Sequence, residues 1–110
     1  MSEKIPFIKW GDHSSKDDKT PDILELQIVK TETFETEYSV NAEVKQRQND
    51  SWQDKILPLK SFNSENDALY QKWNKLVKSN KIKDGSIIRI KTWLGVSKNN
   101  HTIRRFEIEV

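Results

Sequence analysis

Three side chains suited to binding an anionic, flat ligand alternate near the end of the chain. Arg89, Lys91 and Trp93 are two positions apart, and successive side chains of a strand point to opposite faces. A strand would therefore direct all three to one face, with Ile88 and Ile90 on the other. Cations attract phosphate groups, and an indole ring offers a surface on which bases stack. The stretch predicts a strand that closes a core with one face and binds a ligand with the other.

Side chains with catalytic potential are few. Asp12, His13, Ser14 and Ser15 include the residue types of a hydrolytic triad, but their polar tract is predicted to be flexible and cannot hold triad geometry. His101, the other histidine, is far from His13 in sequence and forms no metal-ligand spacing with it. With three Gly and no Cys, the chain lacks a Gly-rich phosphate loop and a thiolate nucleophile. We therefore predict a binding protein that is not an enzyme and uses no metal or cofactor.

Length and composition limit the classes of protein to consider. A chain of 110 residues is expected to form one domain with its own core. Hydrophobic residues make up 34% and charged residues 33%, which predicts a small core and an extensive polar surface. The absence of Cys is typical of intracellular proteins, and the sequence shows neither a signal peptide nor an apolar run of roughly 18 residues. We expect a cytoplasmic, non-secreted protein that has no membrane partner.

Charge is distributed unevenly along the chain. The net charge is +2, but residues 1–20 carry 0, residues 21–59 carry −4 and residues 60–110 carry +6. Such asymmetry predicts a basic face rather than a uniformly basic protein. An ordinary solvated surface with uneven charges is the alternative explanation.

The chain divides into an N-terminal extension over residues 1–22 and a domain over residues 23–110. The extension begins with an apolar cluster that we expect to dock on the domain and continues as a flexible tract; the cluster is Ile5, Phe7, Ile8 and Trp10. In the domain, alternating apolar and polar residues predict five strands. They cover about residues 23–30, 38–47, 52–59, 86–94 and 102–110.

A helix is predicted over about residues 65–79, between the third and fourth strands. Ser64 and Asp67 resemble a capping box at its start. Trp73 and Leu76 follow at helical spacing, which places the Trp73 ring in the core. The lysines on the other side of the helix are typical of a solvated face.

The order of three strands, one helix and two strands resembles the OB-fold, and in particular single-stranded DNA-binding proteins of the archaeal single-OB or replication protein A type. The resemblance covers about residues 23–110 and is one of pattern. It implies an all-β domain, a five-stranded Greek-key barrel with one α-helix between strands three and four. Strand one lacks the Gly that often bends an OB strand, so a different small β architecture stays open.

The resemblance implies a binding surface on strands two and three and on the flanking loops. It selects Lys45 and Arg47 on strand two for phosphates and Trp52 on strand three for stacking. The third-strand register could instead place Trp52 inside with Ile56. The other implied residues lie in the first and last hairpins and on their strands: Phe34, Arg89, Lys91, Trp93, Lys98 and Arg105.

The first hairpin departs from this pattern. Residues 31–37 read TETFETE, with three acids where cations would be expected in a loop that binds DNA. Either this loop lies off the binding face or it steers the strand away. With that exception, the resemblance implies largely sequence-independent binding of single-stranded DNA in replication or repair, with RNA as an alternative ligand.

Two other functions stay open. An acidic first hairpin and a basic last hairpin could meet a protein partner or a second copy of the chain, since exposed edge strands favour pairing. The same Trp-bearing face could also bind a sugar or another small ligand.

Overall fold

A computed structural model describes residues 5–13, 15–64, 66–96 and 98–110. Ser14 of the triad-like tract and Glu65, the predicted first residue of the helix, lie outside this set. Most of the regular structure is β, which confirms the predicted all-β class. After a 3-10 helix at Trp10–Asp12, the elements are β1 (Asp22–Ile28), β2 (Phe34–Glu35), β3 (Ser39–Gln48), β4 (Ser51–Ser61), α1 (Ala68–Lys78), β5 (Ile87–Val96) and β6 (Thr102–Glu109).

All strand pairs are antiparallel, and β1 lies near the middle of the sheet. It pairs with β3 on one side and with β5 on the other. β3 also pairs with β4 along its whole length and with the short β2, while β5 pairs with β6. Among the described strands β4 and β6 do not pair with each other, so the sheet is open. The structure therefore differs from the predicted five-stranded closed barrel, and β2 is an additional strand.

Alternating residues of the long strands form the core on one side of the sheet. Their fully buried side chains include Leu24, Leu26, Ile28, Ala42, Val44, Leu57, Ile88 and Ile90. α1 packs against β4 and β6 and inserts Trp73, whose exposed fraction is 0%. The Trp73 indole N–H donates to the Thr31 carbonyl at 3.2 Å, so the buried ring is also satisfied as a donor. The predicted core position of Trp73 is confirmed.

The start of α1 differs from the predicted capping box. The N-cap residue Asp67 makes no capping hydrogen bond through its side chain. Asn66 instead accepts from the Ala68 N–H through Oδ1, and Ser64 accepts from the Asn66 N–H through Oγ. These local bonds compete with the longer contacts of a capping box. The predicted capping box is not formed, because the Ser64 hydroxyl accepts from the Asn66 N–H and the helix begins only at Ala68. Among the described residues, no helix is both long and apolar enough to cross a bilayer.

Residues 5–13, here called the N-terminal strap, bridge the two unpaired edges of the sheet. Phe7 forms a parallel bridge with Ile56 of β4, and Ile8 donates to the Ile56 carbonyl at 2.8 Å. Ile8 is 5% exposed and joins the core. The Trp10 indole N–H donates to the Pro58 carbonyl at 3.0 Å, and its ring meets Phe106 of β6 edge-on at 5.0 Å. The strap therefore fills the seam between β4 and β6.

Replacing Trp10 with alanine is expected to destabilise the fold by about 2 kcal/mol. The ring loses its partly buried contact with Phe106, and the Pro58 carbonyl loses its donor. Urea denaturation followed by circular dichroism measures the effect. Lys9→Ala, at an exposed position of the same strap, is the control. Equal effects of the two substitutions would show that the strap does not hold the seam.

Candidate nucleic-acid interface

Strand registers show which predicted site residues share a face of the sheet. Side chains directly opposite each other on neighbouring strands point to the same side. Arg47 is opposite Trp52, Arg89 is opposite Glu25, and Trp93 is opposite Arg105. The side turned away from the core, here called the outer face, carries eight of the nine predicted residues: Phe34, Lys45, Arg47, Trp52, Arg89, Lys91, Trp93 and Arg105.

Two cross-strand pairs on the outer face each combine an indole with a guanidinium. In the pairs Trp52–Arg47 and Trp93–Arg105, the tryptophan is partly exposed and the arginine is exposed. The alternative of an inward-facing Trp52 is therefore not what the fold adopts. Gly95 makes room for the second pair, since a Cβ there would lie 3.3 Å from Arg105 Cγ. Each pair offers an apolar platform beside a cation, which is the combination that stacks a base and holds its phosphate.

Carboxylates interrupt the cationic track that the sequence predicts. Arg47 Nη1 lies 3.2 Å from Glu25 Oε1, and Lys91 forms an ion pair with Glu109. Arg89 lies between these acids, opposite Glu25 on β1 and Glu109 on β6. Alternation along β1 and β6 indicates the outward positions of these glutamates, but their pairing with the cations was not predicted from the sequence. The outer face thus alternates in charge rather than being uniformly basic.

The Lys91–Glu109 pair shifts the pKa values of both of its members. The hydrogen bond from Lys91 lowers the pKa of Glu109; burial acts in the opposite direction, and the positive charges of Lys91 and Arg89 lower it further. The same hydrogen bond and the charge of Glu109 raise the pKa of Lys91. The stability that Glu109 contributes is present above its unfolded-state pKa and is lost as pH falls through its folded-state pKa.

Substituting Lys91 with methionine, which has a side chain of similar length but no N–H donor, is expected to raise the pKa of Glu109. The substitution removes the hydrogen bond that is the largest cause of the lowered value and removes the attractive charge. A pH titration of the Glu109 side-chain carboxyl carbon by NMR measures the change. A pKa of Glu109 that stays the same in the variant would show that this pair does not persist in solution.

The two hairpin residues in the predicted set lie at opposite ends of the sheet. Phe34, on β2, is opposite Asn41 at the end of the sheet where β3 begins. Lys98 is exposed in the turn between β5 and β6 at the other end. Arg47 is six residues from Asn41 along β3, or about 20 Å. The acidic segment around Phe34 is therefore remote from the two Trp–Arg pairs, and Phe34 is not brought together with them.

Arg104 points into the seam rather than to the outer face. Its guanidinium donates to Thr92 Oγ1 at 3.2 Å and to the His13 carbonyl. Burial lowers its pKa, while the charge of Asp22 acts in the opposite direction. Asn66 Nδ2 in turn donates to the Arg104 carbonyl at 3.1 Å. Arg104 is thus a structural link between the strap, β5 and β6, and Arg105 is the arginine available on the outer face.

Comparison with known proteins found no relative of this chain. No protein-family model, no curated protein and no solved structure matches the chain. In the part of the chain that the structure describes, no three His, Cys, Asp or Glu side chains are grouped so that they could hold a metal ion. The outer face is therefore the basis on which a function is proposed.

Proposed function

We propose that the chain binds single-stranded DNA, largely independently of sequence, across the outer face. The observation that carries this proposal is the presence of two Trp–Arg pairs on one face, Trp52–Arg47 and Trp93–Arg105. The tryptophans stack bases and the arginines contact phosphates, so neither interaction reads a base edge. Arg89, Lys45 and Lys98 supply further charge, and the ion pairs of the described residues do not include these three.

The spacing of the two platforms suits several nucleotides. Three strand intervals separate Trp52 on β4 from the position of Arg89 on β5, or about 14 Å. Trp93 is four residues further along β5, or about 13 Å. In a flat sheet the two indoles would be about 20 Å apart. OB-type sites hold about 4 to 16 nucleotides, which is compatible with a strand that crosses both platforms.

We also propose that the domain is an open variant of the OB-fold. In support, the first long strand pairs with the second and fourth, the second with the third, and the fourth with the fifth. The helix α1 lies in sequence between the third and fourth long strands, as in that fold. The strap takes the place where the third and fifth long strands would pair in a closed barrel. OB-folds bind oligonucleotides across strands two and three, here β3 and β4 with Arg47 and Trp52.

Fluorescence anisotropy with a labelled 20-nucleotide single strand tests the proposal. At low salt we expect saturable binding that weakens as salt rises, because phosphate contacts release counterions. Duplex DNA of the same length is expected to bind more weakly, since its bases are not available to the tryptophans. A single-stranded RNA of the same length is titrated as well, and its affinity shows whether the chain prefers DNA or RNA. Absence of an anisotropy change at low salt would overturn the proposal.

A protein-interaction role is the second candidate, and exposed apolar side chains favour it. Ile23 and Ile87 on the outer face are 56% and 55% exposed, next to the charged rows. Alternating charges beside apolar groups are typical of protein interfaces as well. Sedimentation over a range of concentrations tests association with a second copy. A monomer that binds single-stranded DNA tightly would count against this candidate.

A further inference from the structure

We propose that Glu25 and Glu109 control the affinity and the selectivity of the outer face by competing with phosphates for its cations. This inference rests on the proposed binding of single-stranded DNA. It concerns residues that lie on the binding face but have the same charge sign as the ligand. Their effect is to lower the affinity for any polyanion, and most of all for the more highly charged duplex.

The Glu25 carboxylate forms an ion pair with Arg47, the cation beside the Trp52 platform. Glu25 Oε1 is 3.2 Å from Arg47 Nη1, and Arg47 is the cross-strand neighbour of Trp52. The two side chains are 28% and 50% exposed, so a ligand can reach the pair from solvent. A carboxylate and a phosphate present similar anionic oxygens to a guanidinium. A phosphate that binds Arg47 must therefore displace Glu25 or share the cation with it.

Glu109 repeats this arrangement on the same face, on the edge strand β6. It pairs with Lys91 and lies opposite Arg89 in the β5–β6 register. Arg89 is also opposite Glu25, so Arg47, Glu25, Arg89 and Glu109 form one row of alternating sign across four strands. The row begins beside Trp52 on β4, and its Arg89 lies four residues from Trp93 on β5. A single strand that crosses from one platform to the other therefore passes over part of the row. Exposed ion pairs of this kind are weak, so a ligand can exchange them.

The same carboxylates distinguish ligands by their charge density. Duplex DNA carries one charge per about 1.7 Å of its axis, and each strand carries one per about 3.4 Å. A face of alternating sign repels the denser array more strongly for the same number of cations contacted. A single strand also recovers energy by stacking on Trp52 and Trp93, which a duplex does not. Glu25 and Glu109 are therefore specificity-determining residues for single strands.

The test compares Glu25→Gln, Glu109→Gln and the double variant with the unmodified chain. Glu37→Gln is the matched control, because Glu37 is exposed in the acidic segment at the far end of the sheet and the substitution changes the net charge equally. We expect the double variant to bind single-stranded DNA about 3- to 10-fold more tightly and duplex DNA to gain by a larger factor. The control is expected to change either affinity by less than about 2-fold. Circular dichroism verifies that each variant is folded.

The outcomes separate this inference from the function on which it rests. If the chain binds single-stranded DNA and the double variant binds it equally or more weakly, the competition is refuted and the function stands. If Glu37→Gln has the same effect as the double variant, only net charge matters and the inference is again overturned. Binding by the double variant alone would overturn the function proposed for the unmodified chain, and with it the inference that rests on that function. If neither the unmodified chain nor the double variant binds single-stranded DNA, the function and the inference are both overturned.

Discussion

Replacing Trp93 or Trp52 with alanine is expected to weaken binding of single-stranded DNA by about 5- to 150-fold in each case. A base stacked on an aromatic side chain contributes about 1 to 3 kcal/mol, and every 1.4 kcal/mol corresponds to a tenfold change in affinity. Both indoles are partly exposed on the outer face, so their removal leaves the core of the domain intact. Anisotropy titrations with one labelled oligonucleotide measure the loss.

Two controls separate stacking from charge attraction. Lys75→Ala removes an exposed cation from α1, which packs on the other side of the sheet, and should weaken binding less than either Trp substitution. Trp93→Phe keeps an aromatic surface beside Arg105 and should retain part of the affinity. If Lys75→Ala and the Trp substitutions had equal effects, the interaction would be a general attraction between charges and not a site.

Replacing Trp73 with alanine is expected to destabilise the fold by about 3 to 5 kcal/mol. The ring is fully buried between α1 and the sheet, and its removal leaves a cavity that neighbouring side chains cannot fill. Domains of this size have a free energy of unfolding of about 5 to 15 kcal/mol, so a large part of the stability would be lost. Urea denaturation monitored by circular dichroism measures the change in the free energy of unfolding.

Trp73→Phe and Trp52→Ala provide the matched comparisons for this prediction. Trp73→Phe retains most of the apolar contact but leaves the Thr31 carbonyl without its donor, and a cost of about 1 to 2 kcal/mol is expected. Trp52→Ala removes an indole of the same size from the outer face and should cost less than Trp73→Ala. Equal destabilisation by Trp73→Ala and Trp52→Ala would contradict the assignment of one ring to the core and the other to the surface.

Much of the fold can be predicted from the sequence because apolar residues alternate in the strands and change period in the helix. The buried side of β5, with Ile88 and Ile90, and the core position of Trp73 follow directly from those periods. Helix ends are less predictable, since the acceptors at the start of α1 are decided by local turns. At the start of α1, Asn66 Oδ1 accepts from the Ala68 N–H. The spacing of residues in the sequence does not show that Asn66 rather than Ser64 would be this acceptor.

Contacts between segments that are distant in sequence could not be predicted in the same way. The apolar pattern of the N-terminal strap predicts docking, but not that Trp10 would reach Phe106 across the seam between β4 and β6. The Arg47–Glu25 pair likewise depends on the register of β1 against β3, which a one-residue slip would change. Alternation places Glu25 on the outer face, but only the register places it beside Arg47.

The most direct test of binding at the outer face is an NMR titration of the four indole N–H signals with a single-stranded oligonucleotide. The indole N–H groups of Trp10 and Trp73 donate to the carbonyls of Pro58 and Thr31, away from the outer face. We predict large shifts or broadening of the Trp52 and Trp93 signals, while those of Trp10 and Trp73 stay in place. Shifts confined to Trp10 and Trp73, or four unchanged signals at saturating oligonucleotide, would contradict binding at the outer face.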